Sequence, residues 1–287
     1  MDISVVGAGR VGTALAVLLS RAGHRVVGVS GGSRTAERAS KHLPGVPVGP
    51  PAWIAADAEI VVIATPDDRI ALICSDLANQ EAFRPDQVVI HLSGATGLGA
   101  LSPAREAGAA VLSLHPLQTF PDVESAIGRV PGSGMAVTAE DEGGYQLGER
   151  LAEDVGARSF RLSDEAKPLY HAAAVFASNY VVAVVGLAER LFRGAGIREP
   201  LPLFLPLFQA TGDAIAAKGP EEALTGPAVR GDAGTVEANL TALRRGARYA
   251  LPAYVALAES ALDLAERARR ISPAGRLAVQ EVLDRWK

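Results

Sequence analysis

The sequence predicts an α/β fold, a doubly wound and mostly parallel sheet with helices on both faces, followed by an all-α C-terminal domain. Three observations carry this. Short runs rich in Val and Ile alternate with helical segments as far as Leu162, the strand signal then stops, and a glycine-rich turn directly follows the first strand. Apolar runs this continuous suit strands buried on both faces.

In chain order, the pattern predicts strands over 3–6, 25–29, 60–64, 87–91, 110–114, 135–138 and 157–162, with a weaker one near 46–48. Helices are predicted over 13–22 and 141–154. Beyond Leu162 the helical segments fall at about 165–193, 200–217, 232–246, 251–271 and 273–286, with Gly- and Pro-containing breaks at 194–200 and 218–231. Domains are therefore expected at 1–162 and 163–287.

Composition excludes several functions. The 287 residues are 48% hydrophobic and 21% charged, enough apolar material for sizeable cores. With 28 basic against 32 acidic residues the net charge is −4, so electrostatics gives no reason to expect nucleic acid. A single cysteine, Cys74, excludes an intramolecular disulfide. No His, Asp and Glu cluster has metal-ligand spacing, and no Gly-x-Ser-x-Gly elbow appears. Ile3 to Val6 enter a strand at once, so no targeting segment is expected and the chain reads as soluble and cytoplasmic. Leu169 to Ala188 is long and apolar enough for a membrane span, but it carries His171, Ser178 and Asn179 and is expected to be the central post of a soluble helical domain.

Gly7-Ala8-Gly9-Arg10-Val11-Gly12 stands between the first strand and the next helix, the context of a dinucleotide-binding Rossmann turn. Gly7 permits the tight turn, Gly9 lets the backbone approach a pyrophosphate, and Gly12 lets the helix pack on the strand. A merely tight turn is the bland alternative. After the second strand, Ser30-Gly31-Gly32-Ser33-Arg34-Thr35 lacks the acid that usually holds a ribose 2′-hydroxyl, while Arg34 can fork onto a 2′-phosphate. NADP is therefore expected over NAD, although Ser33 reads equally as a helix N-cap. Ala64, Thr65 and Pro66 close one further strand, and Ser93-Gly94 follow another. Ligands in open α/β sheets bind outside such carboxyl ends, so these residues are expected to line the cofactor crevice.

The glycine fingerprint, the Ser33-Arg34 loop and the Ala64–Asp67 segment resemble the 6-phosphogluconate dehydrogenase superfamily, which includes ketopantoate reductase and pyrroline-carboxylate reductase. More narrowly, His115-Pro116-Leu117-Gln118-Thr119-Phe120, the run Tyr170–Tyr180 and the run Leu224–Asp232 resemble a bacterial family of uncharacterised Rossmann-plus-helical proteins. The resemblance implies an NADP-dependent reductase and suggests a ketopantoate-like substrate. It also implies a lysine near the start of the first long helix of the second domain, with a polar partner, often Asn, one turn on. Lys167 matches the lysine, and His171 stands where that partner would be.

Geometry points to the same residues. At about 100° per residue, Lys167, His171, Ala174 and Ser178 share one helical stripe. Asp164 is expected to cap the helix, with Pro168 tolerated in its first turn, so Lys167 projects from the helix opening into the interdomain cleft. Hydride transfer to a carbonyl or imine builds charge on the heteroatom, and Lys167 is the expected proton donor. His171 would orient substrate or relay the proton, with Ser178 and Asn179 in support. A solvated lysine and a satisfied core histidine are the alternatives. His115, Gln118 and Arg230 are candidates for binding an anionic substrate, Arg230 by bidentate pairing. A structural histidine, and an arginine bracing its loop or a dimer contact, are the competing readings.

The expected protein is an NADP-dependent oxidoreductase reducing a small carboxylate-bearing keto or imino substrate. A non-catalytic NADP-binding sensor and a deazaflavin–NADP oxidoreductase are the alternatives. The apolar helices of the second half suggest a homodimer.

Overall fold

The computed structural model describes residues Met1–Lys287 and separates into two compact units, Met1–Asn179 and Tyr180–Lys287. The expected boundary after Leu162 falls earlier, because the first helix beyond it folds with the sheet through the buried Lys167.

The first unit runs β1 (Asp2–Val6), α1 (Arg10–Arg21), β2 (Arg25–Ser30), α2 (Thr35–His42), α3 (Pro51–Ala56), β3 (Ile60–Ile63), α4 (Asp67–Asn79), β4 (Val88–His91), α5 (Ser102–Glu106), β5 (Ala110–Leu117), α6 (Val123–Arg129), β6 (Gly134–Ala139), α7 (Glu142–Asp154), β7 (Arg158–Arg161) and α8 (Lys167–Ala177). The sheet order is β2-β1-β3-β4-β5-β6-β7. Strands β1 to β5 are mutually parallel, β6 is antiparallel to β5, and β7 is parallel to β6. The chain crosses over β1 between β2 and β3, which creates the switch point where open α/β sheets bind ligands. The predicted strand near 46–48 is a single bridge, Val29 to Val48, because Pro47, Pro50 and Pro51 deny it a ladder.

Alternating residues of each strand feed two cores. Ile3, Val5, Ile60, Val62, Ile90 and Leu112 pack with Leu15, Leu18 and Leu19 of α1. Val6, Val61, Ile63, Val89 and Val111 pack on the other face with Ile54, Ile70, Cys74 and Leu77. Burial pushes the Cys74 thiol up to about 11, so it is an inert core residue.

The registers set the site. Ile63 pairs with His91 and His91 with Ser113, which aligns the carboxyl ends of β3, β4 and β5. β5 continues past that line, and His115, Pro116 and Leu117 pair with antiparallel β6. His115 is therefore a strand residue on an overhang rather than the residue that ends a strand.

The second unit contains α9 (Asn179–Gly194), α10 (Pro200–Ala223), α11 (Ala233–Gly246), α12 (Leu251–Arg267) and α13 (Pro273–Asp284). Val236, Leu240, Val255, Leu262, Val279 and Leu283 form its core. Asp232 caps α11 by accepting from Thr235 N–H, as its position suggests. The stretch Asp164–Gly194 is long and apolar enough to cross a membrane by length and composition, and none of its most apolar window is buried. Ser178, at φ −130° and ψ −71°, divides it into α8 and α9, of 11 and 16 residues. Neither reaches the ~20 residues that a span requires.

Candidate active site

The three fingerprint glycines are needed for different reasons. Gly7 has φ +102°, and a Cβ there would stand 2.7 Å from the Ala64 carbonyl. A Cβ on Gly12 would stand 2.5 Å from the Gly7 carbonyl oxygen. Both are dictated by the protein's own packing. Gly9 is different, since its nearest such neighbour is 3.9 Å away. Its small size serves an approach from outside. Gly9 caps α1 without any side-chain hydrogen bond, leaving the first-turn N–H groups for an anion. Beside Gly7, the buried Thr65 hydroxyl has no partner. These features fit a dinucleotide pyrophosphate.

Around this turn, the N–H groups of Gly7 and Ala8 both donate to the Ser30 carbonyl, and Val11 packs on the α1-side core. Arg10 turns away and donates to the Pro121 carbonyl at 3.2 Å. Ser33 does not cap α2: Arg34 holds the cap position, without a side-chain bond, and Thr35 N–H donates to the Gly32 carbonyl. Arg34 is exposed and its guanidinium makes no hydrogen bond or ion pair. One turn on, Arg38 donates to the Ala8 carbonyl at 3.3 Å, bringing a second guanidinium to the loop. Its spacing from Arg34 was a legible signal that the sequence reading passed over. Two cations and no carboxylate at the end of β2 fit a ribose 2′-phosphate.

At the ends of β4 and β5 several expectations change. Ser93 is not free for a nicotinamide, because its hydroxyl accepts from Ala95 and Thr96 N–H and donates to the Thr96 hydroxyl. A Cβ on Gly94 would meet the His115 imidazole at 2.7–2.9 Å, so Gly94 makes room for that ring. Pro66 caps α4, and Ala64 N–H pairs with the Val6 carbonyl. Asp164 does not cap its own helix; its carboxylate accepts from Leu98 N–H across the sheet edge.

Lys167 opens α8 with Pro168 in the first turn. Rather than projecting into an open cleft, its side chain is 0% exposed and turns inward over the sheet edge. Its ammonium donates to the Ser93 carbonyl at 3.0 Å and to the Ser113 hydroxyl at 2.8 Å. Burial lowers its pKa from 10.5 to about 8, against the opposing carboxylates of Asp164 and Asp67.

Beside it lies an open cleft of about 740 Å³, lined by His115, Gln118, Thr119, Tyr170, His171, Ser178 and Asn179 among apolar residues of β5 and α8. Thus the helical stripe does meet the end of β5, with Ser178 at the helix break. His171 Nδ1 is buried without a partner. His115 Nδ1 lies 2.7 Å from the Tyr170 hydroxyl, and burial foremost, then the Lys167 charge, lower its pKa to about 4. Gln118 Oε1 accepts from Thr119 N–H. Arg230, exposed in the loop before α11, belongs to the second unit. Sequence reasoning missed Tyr170 and Ser113. Tyr170 stands three residues after Lys167 on the same face, a spacing that signals it.

A dinucleotide-type Rossmann domain followed by a helical domain is the class that this fold and loop define. The model for a Rossmann-like domain matches residues 1–116, and that for a domain of unknown function, DUF2520, matches residues 133–261. Among solved structures, a Bacteroides fragilis protein provisionally named an NADP oxidoreductase is 23% identical with a TM-score of 0.70, covering 91% of this chain and 97% of that one. A Thermotoga maritima protein is 24% identical with a TM-score of 0.69, covering 93% and 99%. Plasmodium falciparum pyrroline carboxylate reductase, solved with NADP bound, is 11% identical with a TM-score of 0.59, covering 97% and 98%. These likenesses are of fold. No curated protein matches the sequence.

Proposed function

We propose that the chain is an NADP-dependent oxidoreductase that reduces a small carboxylate-bearing keto or imino compound, ketopantoate-like or pyrroline-carboxylate-like. The observation that carries this is the fully buried Lys167 ammonium, held at the same sheet edge as the glycine loop and beside a cleft with an unpartnered histidine nitrogen. Such a charge is expensive to bury and is characteristic of a functional site. The α1 N-terminus would hold the pyrophosphate, and Arg34 with Arg38 the 2′-phosphate. When bound, NADPH supplies the hydride. The Lys167 ammonium, enclosed behind the cleft, then supplies fixed positive charge as negative charge builds on the substrate heteroatom. His171 orients the substrate from the cleft wall, and Ser178 and Asn179 line the same cleft. The relatives named for NADP and for pyrroline carboxylate support this reading.

The test is NADPH binding by fluorescence, followed by NADPH oxidation with a panel of 2-keto acids, ketopantoate included, and cyclic imines. Turnover with at least one member is expected; binding with none would leave a sensor, and turnover with a deazaflavin alone would reassign the chain. Arg34→Ala is expected to weaken NADPH binding by about tenfold or more while leaving NADH binding unchanged, a charge-assisted contact being worth about 1.5–3 kcal/mol. Equal losses for both cofactors would remove Arg34 from 2′-phosphate recognition.

In this reading the protein works as a cytoplasmic homodimer. Val182, Leu203 and Leu207 on α9 and α10 are 68–71% exposed, a poor arrangement for an isolated chain. Light scattering at micromolar concentration is expected to give a dimer mass, and Leu203→Glu with Leu207→Glu a monomer. A monomeric wild type contradicts this.

A further inference from the structure

We infer that Tyr170 is the acid that hands a proton to the substrate heteroatom, with the His115 Nδ1–H donating to the Tyr170 oxygen. This rests on the reductase reading above and replaces Lys167 as the residue that touches the substrate.

The geometry divides the labour. The Lys167 ammonium is enclosed and already bonded to the Ser93 carbonyl and the Ser113 hydroxyl. Tyr170 and His115 line the cleft, at 2.7 Å from each other. Their rings meet edge-on with centroids 5.5 Å apart, and Phe160 of β7 packs on the other side of Tyr170 at 5.9 Å. Gly94 leaves room for the imidazole, so the ring position is fixed by packing. His115 is neutral near pH 7 because burial and the Lys167 charge disfavour its imidazolium. A neutral imidazole carries one proton. With that proton on Nδ1, the bond runs from His115 to the phenol oxygen and leaves the phenol's own proton for the cleft.

The step balances simply. As hydride reaches the substrate carbon, the Tyr170 O–H bond breaks, its proton goes to the heteroatom, and its electron pair stays on the phenolate. That phenolate is held by the His115 N–H. After product leaves, water from the open cleft returns a proton to Tyr170 and releases hydroxide to solvent. Burial raises the Tyr170 pKa to about 12, so the hydroxyl holds its proton until the substrate demands it. The ionisable groups that face the His115–Tyr170 pair through His115 are Lys167 and His171 on α8 and Asp67 on α4.

The experiment has two arms. Tyr170→Phe is expected to lower kcat/KM by about 100-fold or more, within the range for a general acid, with NADPH affinity and melting temperature unchanged. Full activity in that variant overturns the proposal while leaving the reductase reading intact. The second arm needs no turnover. A fluorinated tyrosine placed at position 170 brings the phenol into a mild titration range, read by ultraviolet absorbance with and without His115→Phe. If His115 donates to the phenolate, its loss moves the titration upward. A downward movement, or none, overturns the proposal even if no substrate has been found.

Discussion

Lys167→Met is expected to raise the melting temperature and to lower turnover by about 10²–10³-fold, as for the loss of one preorganised electrostatic contact. Both signs follow from one arrangement. The ammonium is wholly enclosed, and its pKa falls from 10.5 to about 8 mainly through loss of solvent. That shift corresponds to about 3 kcal/mol against the charged native state. Methionine fills the same channel without a charge. Ser113 keeps its bond to the Ser93 carbonyl at 3.2 Å, so the replacement leaves that hydroxyl satisfied. Below pH 8 the folded and unfolded chains both hold the lysine proton, and the penalty is complete. Between about 8 and 10.5 the folded chain has released it while the unfolded chain has not, so wild-type stability climbs toward that of the variant. Turnover moves oppositely, falling as pH rises through about 8, because the neutral amine offers no charge to the substrate. Melting curves from pH 7 to 10, beside initial rates, check both. A variant that melts lower and turns over normally would show that Lys167 is a structural cation.

Gly9→Val and Gly12→Ala are expected to separate binding from folding. At Gly9 the added Cβ meets nothing nearer than 3.9 Å, so stability is expected to stay near wild type while NADPH binding is lost. At Gly12 even a methyl group lies 2.5 Å from the Gly7 carbonyl oxygen. Helix α1 must shift, at a cost of about 3 kcal/mol and a fall of roughly 6–12 °C in melting temperature. Thermal melts and fluorescence titrations distinguish the two. Equal destabilisation by both would mean that Gly9 serves the turn alone.

Local rules made much of this legible in the sequence. The fingerprint glycines sit where strand, turn and helix dictate, and alternating Val and Ile place each strand between two cores. Pro168 marks the start of α8, with Lys167 at its head. Non-local pairing hid the rest. The overhang of β5 exists because antiparallel β6 pairs with it, which put His115 on a strand. Asp164 satisfies Leu98 across the sheet edge, a bond that no helix-capping rule anticipates. Whether Lys167 points to solvent or to Ser93 depends on how α8 lies over β4 and β5. Tyr170 shares a helix face with Lys167, but its pairing with His115 depends on where β5 lies and no local pattern shows it.

The central claim is that the sheet edge under Lys167 is where a nicotinamide reacts. A crystal structure of the NADP complex tests it most directly. Pyrophosphate is expected on the first turn of α1 and the nicotinamide ring over the carboxyl ends of β4 and β5, its C4 facing the cleft of His115, Tyr170 and His171. A ring lying in solvent, or stacked away from that cleft with Lys167 unchanged, would contradict it.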